Sequence, residues 1–106
     1  MGQQSLLEIE VLSGPLDGAT IELHEPEDWT RTCAGPLAFP WDPELGTPQA
    51  RFVPDEHGWT LEAIPSKHGT YRITSNERIE GTVRLEPKDV LKASTTWLLV
   101  RRVSMI

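Results

Sequence analysis

Hydrophobic and polar positions alternate one by one along most of this chain. Leu7, Ile9 and Val11 are interleaved with Glu8 and Glu10, the period of two that sends successive strand side chains to opposite faces. Ser13-Gly14-Pro15-Leu16-Asp17-Gly18 is dense in turn residues, and alternation resumes over Ala19-Thr20-Ile21-Glu22-Leu23. Residues 6–23 are therefore predicted to form a hairpin. A second hairpin is predicted from Ala50-Arg51-Phe52-Val53-Pro54 and Trp59-Thr60-Leu61-Glu62-Ala63, with Asp55-Glu56-His57-Gly58 as its turn. Further β-prone runs fall at 70–73, 80–85, 89–92 and 97–101, with a turn at 75–77.

Residues 24–29 are acidic and contain Pro26, so they read as a loop, followed by a short strand over 30–33. Pro36, Pro40, Pro43 and Pro48 then interrupt the pattern. Proline lacks the backbone donor that a ladder or helix needs, so an irregular stretch with one short edge strand is predicted, pinned by Leu37, Phe39 and Trp41. Trp59 and Trp97 lie within alternating segments and are expected in the core, whereas Trp29 and Trp41 are expected to plug the ends. No segment carries sustained helical spacing. Short strands at intervals of about ten residues predict an all-β sandwich or barrel.

Composition narrows the functions open to such a fold. The chain has 106 residues, enough for one domain with one modest core. Sixteen carboxylates face ten Lys and Arg, for a formal charge of −6. That balance argues against long-range attraction to nucleic acid or anionic lipid. The single cysteine, Cys33, cannot staple the fold and fits a reducing compartment. The start of the chain has no basic segment followed by a long apolar stretch, and no apolar run approaches a bilayer span. A cytoplasmic location without membrane insertion is expected.

Signatures of catalysis or of a cofactor are missing. His24, His57 and His68 do not pair with one another or with Cys33 at metal-ligand spacing. Cys33 lacks any local nucleophile signature and reads as a small core residue at a strand end. Gly14 and Gly18 precede neither a helix nor a Gly-Lys pair, so no phosphate-cradling loop is indicated. The most specific local feature is Ser66-Lys67-His68-Gly69-Thr70-Tyr71 between two strands. Gly69 there suits a tight turn of positive φ, Ser66 and Thr70 can satisfy loop backbone groups, and Lys67 and His68 stand at the tip.

The order of these pieces resembles a forkhead-associated (FHA) domain across residues 6–101, with residues 1–5 and 102–106 as tails. The first hairpin matches that family's opening. Ala50-Arg51-Phe52, Gly58-Trp59-Thr60-Leu61 and Ser66-x-x-Gly69-Thr70-Tyr71 are similar to its central signature, and Leu85, Asp89-Val90-Leu91 and Trp97-Leu98-Leu99-Val100 fall at its intervals. The resemblance implies a β-sandwich of two mostly antiparallel sheets with about eleven short strands, whose loops at one end bind phosphothreonine peptides.

Most of the ligand-binding residues that the resemblance implies are replaced. The phosphate-gripping arginine falls near Cys33, or at Gly35 with one gap, and the phosphate-bonding serine at Gly46. The histidine that braces the loop corresponds to Gln49, the residue between them to Thr47, and the asparagine that holds the peptide backbone to His68; Gly69 is kept. Arg31, Arg51, Lys67 and Arg72 are the substitute cations, although strand parity sends Arg51 and Arg72 away from the loop end. The expectation is a degenerate FHA-like module, without enzymatic activity, metal or cofactor. It would dock a protein partner independently of phosphothreonine, within a signalling or secretion assembly, through Gly46, Thr47, Gln49, Lys67, His68 and Gly69. The alternative is a phosphopeptide reader with a rewired site built from Thr47, Lys67 and His68.

Overall fold

The computed structural model describes residues 5–32 and 35–105; the strand end assigned to Cys33 lies outside them. Two sheets face each other. The first has the order β2 (Thr20–Leu23), β1 (Ser5–Val11), β11 (Thr96–Met105), β10 (Val90–Ala93), β7 (Tyr71–Arg72) and β8 (Glu77–Arg78). The second runs β4 (Leu37–Ala38), β3 (Glu27–Thr30), β5 (Ala50–Asp55), β6 (Gly58–Ala63) and β9 (Thr82–Arg84). Among the described residues every strand pairing is antiparallel except that of β3 with the short edge strand β4. The fold is thus an all-β sandwich of eleven strands in two mostly antiparallel sheets. Among the described residues no helix is long and apolar enough to cross a membrane.

Alternation places the core. Leu7, Ile9, Val11, Leu91, Leu98 and Val100 of one sheet meet Trp29, Phe52, Trp59 and Leu61 of the other, all without exposed surface. Their partners in alternation, such as Glu8, Glu10, Lys92 and Arg101, turn outward. Each sheet has one apolar face, so neither can bury its apolar face without the other.

Four expectations are corrected. Residues 27–30 form β3 rather than a loop, because Trp29 faces inward and stacks on Phe52, ring centroids 6.2 Å apart. The acidic residues around it conceal the alternation, and Asp28 sits across from Arg51, 3.6 Å from its Nε. Trp97 is only half buried on the outer face, because it is Leu98 and Val100 that point inward. The run at 70–73 is strand only at Tyr71–Arg72, after which a 3-10 turn (Ile73–Ser75) and a left-handed Asn76 lead into the unforeseen strand β8. The last strand continues past 101 to Met105, held by its partner β1.

Candidate functional site

Strand direction gathers five connections at one end of the sandwich. Val11 pairs with Leu98, Ala50 with Ala63 and with Trp29, and Tyr71 with Lys92. The connections β1–β2, β3–β4, β4–β5, β6–β7 and β10–β11 therefore leave the sheets side by side. All six site residues expected from the sequence, Gly46, Thr47, Gln49, Lys67, His68 and Gly69, lie on two of these loops.

Gln49 joins the two loops. It is buried, and its Oε1 accepts from the Gly46 N–H at 2.7 Å. Its Nε2 donates to the Gly69 carbonyl at 3.1 Å and to Thr70 Oγ1 at 2.9 Å. A neutral amide thus does at this position what the resemblance assigns to a histidine. It presents an acceptor to one loop and a donor to the other, independent of pH. Within the second loop, Ser66 Oγ accepts from the Gly69 N–H at 3.0 Å, and Gly69 has φ of +76°.

Asp42 anchors the outer part of the β4–β5 loop. Its carboxylate accepts from Ser94 Oγ and Thr96 Oγ1, both at 2.6 Å, and from the Thr95 N–H at 3.2 Å. Beyond it Trp41 packs edge-on against Phe39 and stays 40% exposed, over Gly14 of the β1–β2 turn. Of the three residues expected to pin this stretch, Leu37 and Phe39 are buried and Trp41 is a surface residue.

The loop tips carry the charge. His68 Nε2 lies 3.2 Å from Glu44 Oε2, and Lys67 and Thr47 are exposed. A hydroxyl-bearing side chain does not fit easily at Gly46, where a Cβ would stand 3.0 Å from the Pro48 carbonyl and 3.1 Å from Gln49. Arg31 is the cation that the sequence ranked only among several. Its backbone N–H donates to the Gly46 carbonyl at 3.1 Å and its Nε to the Leu45 carbonyl at 3.1 Å, so its guanidinium is seated on the β4–β5 loop. The signal was its place two residues before the expected arginine position. Arg51, expected to point away, lines a hollow of about 360 Å³ that reaches Thr47 and Pro48 but also contains Glu27 and Asp28. Arg72 does turn away, toward Glu77 and Asp89. Among the described residues no three of His, Cys, Asp and Glu gather as a metal site.

No protein-family model matches the chain, and no curated protein matches it closely enough to count as a relative. Its structural neighbours are FHA domains. One comes from work on phosphothreonine-dependent FHA domain interactions, with 19% identity, 92% of this chain and 96% of that chain covered, and a TM-score of 0.77. The FHA domain of a hypothetical protein from Arabidopsis thaliana has 24% identity, 93% and 86% coverage and a TM-score of 0.79. The FHA domain of FhaA, complexed with the intracellular domain of Rv3910, has 20% identity, 90% and 99% coverage and a TM-score of 0.75. The fold is FHA-like.

Proposed function

We propose that this domain is a non-catalytic protein-interaction module whose loop end docks a protein partner without requiring phosphothreonine, as part of a signalling or secretion assembly in the cytoplasm. The carrying observation is the state of the donors around Gly46. The position has no hydroxyl, a side chain there would crowd backbone, and its N–H is already engaged by Gln49. Nearby, His68 is paired with Glu44 and the Arg31 Nε with a carbonyl. A phosphate carries nearly two negative charges, and its capture rests on charge-assisted donors aimed at it. Each such bond contributes about 1.5–3 kcal/mol. Five loops on a rigid sandwich remain a suitable recognition surface, and the neighbours complexed with or studied for protein ligands support that class of function.

Arg31 favours a second reading. Among the described residues its terminal nitrogens have no hydrogen-bond partner, and Thr47 and Lys67 are exposed beside the same loops. A rewired phosphopeptide site would use these three. Titration of a degenerate phosphothreonine peptide library against its unphosphorylated counterpart separates the two. The docking reading expects at most about a fivefold preference, about 1 kcal/mol. A preference above about a hundredfold, abolished by Arg31→Ala, would overturn it in favour of the rewired site.

A further inference from the structure

The outer face of the six-stranded sheet carries a row of alternating aromatic and cationic side chains. Trp97 pairs with Lys92, Lys92 with Tyr71 and Tyr71 with Arg78 across four neighbouring strands. Lys92 Nζ lies 5.6 Å from the centre of the Trp97 ring, and the Arg78 guanidinium 5.9 Å from that of Tyr71. Both distances are within cation–π range. In the next row toward the far end, the half-buried Leu99 and Val90 give an apolar strip. Where the first row meets the loop end, Tyr71 and Lys92 line a hollow of about 260 Å³ together with His68, Gly69 and Ser94.

Two cations of this face lack a carboxylate partner among the described residues, as do Arg31, Lys67 and Lys88 elsewhere. Arg51, Arg72, Arg84, Arg101 and Arg102 each have a carboxylate partner. Lys92 and Arg78 have none among the described residues: Lys92 rests on the Trp97 ring, and Arg78 lies over the Tyr71 ring while its Nη2 donates to the Ser66 carbonyl at 3.1 Å. An acidic domain of net charge −6 thus presents a cationic row beside an apolar strip, with Glu44 at one margin through His68 and, at the other, Glu10 opposite Leu99, itself paired with Arg101.

We infer that this face is a second docking surface, for an acidic segment of a partner protein in which carboxylates alternate with apolar side chains. The carboxylates answer Lys92 and Arg78, the apolar side chains lie on Leu99, Val90 and Trp97, and the hollow beside Tyr71 takes one carboxylate. The inference rests on the protein-interaction reading; the two surfaces meet at His68 and Gly69 in the hollow, and it predicts that the Lys92, Arg78 and Trp97 part is separable from Lys67 and Thr47.

The test is a heteronuclear NMR titration of the 106-residue chain with an alternating Glu-Leu octapeptide, with its Lys-Leu counterpart and inorganic phosphate at matched ionic strength as controls. The Glu-Leu peptide should give saturable shifts at Tyr71, Arg78, Lys92 and Trp97. Its affinity should fall about threefold to fivefold in Lys92→Gln and again in Arg78→Gln, the size of a partly exposed charge contact. It should be unchanged in Lys67→Ala. Melting curves on the variants check folding, and Arg78→Gln serves alone if Lys92→Gln proves unstable. Equal binding of the Lys-Leu peptide, shifts confined to residues 44–47 and 67, or an affinity untouched by either substitution would overturn the inference. So would saturable shifts from phosphate at the same residues. Loss of all peptide-library binding at the loop tips, with the Glu-Leu titration intact, would sink the loop-end reading and leave this one standing.

Discussion

Asp42 is a carboxylate with no exposed surface. Burial pushes its pKa up, but hydrogen bonds from Ser94, Thr96 and the Thr95 N–H outweigh burial and hold it below the ordinary value. A group of this kind stabilises the fold while ionised, so its contribution is present above the unfolded carboxylate pKa of about 3.9 and is lost as pH falls through the lower folded value. Asp42→Asn keeps the shape but turns one acceptor into a donor, and should cost about 1–3 kcal/mol at pH 7. Its denaturant midpoint should also vary less below pH 4, and parallel pH profiles for the two proteins would contradict this. On the surface, the Arg84 guanidinium and the His57 N–H hold Asp55 down to about 2, so Asp55→Asn should flatten the same acid limb between about pH 4 and pH 2. Gly69 is set by backbone rather than by space. A Cβ there would meet Arg78 Nε at 2.8 Å, but that is the mobile end of a side chain, whereas φ of +76° penalises any L residue. Gly69→Val should therefore cost about 1–3 kcal/mol, and most of that loss should persist in an Arg78→Ala background. Full rescue by Arg78→Ala would show crowding to be the cause.

The β4–β5 and β6–β7 loops are coupled elements; the buried Gln49 couples them, and the exposed His68–Glu44 contact adds to it. Gln49→Ala would strip the Gly46 N–H, the Gly69 carbonyl and Thr70 Oγ1 of a shared partner. The expected loss is about 2–4 kcal/mol, with faster amide exchange at Gly46 and Gly69 together. Faster exchange at only one of them would show that the loops are held independently. At this scale the strands were legible where one face is apolar and the other polar: β1, β2, β5, β6, β10 and the start of β11 follow the alternation. Strand β3 was not, since its four residues present one large apolar side chain among acids and the pairing that makes it a strand is with distant residues 50–52. Strand β8 was hidden for another reason, being two exposed residues whose pairing with β7 is local. Two-residue strands have no period to read. The site positions were legible as loop residues at one end. What each touches was not, because the bonds from Gln49 Nε2 to Gly69 and Thr70 and the bond from Arg31 Nε to Leu45 link residues 14 to 21 apart.

At the scale of the whole molecule the first and last strands pair, with Ser5 opposite Met105 on β1 and β11. That strand pair lies between β2 and β10, and its inward side chains Leu7, Ile9, Leu98 and Val100 complete the only large core cluster described, shared with Trp29, Phe52, Trp59 and Leu61. Because each sheet is apolar on one face alone, separating them would expose both faces to water at once, at about 25 cal/mol per Å². A sandwich of this size should therefore lose both sheets in a single transition. Native-state hydrogen exchange tests this at residue level. With rising sub-denaturing urea, the amides of Phe52 and Leu61 in one sheet and of Ile9 and Leu98 in the other should converge on one opening free energy equal to that of global unfolding. Exposed edge positions such as Thr82 and Glu77, each on a short strand at the margin of a sheet, should exchange by smaller openings that urea hardly changes. Two plateaus separated by more than about 1.4 kcal/mol, a tenfold difference in opening, would mean that one sheet survives without the other. The loop end would then be standing on two units rather than one, and the rigidity on which both proposed docking surfaces depend would be lost.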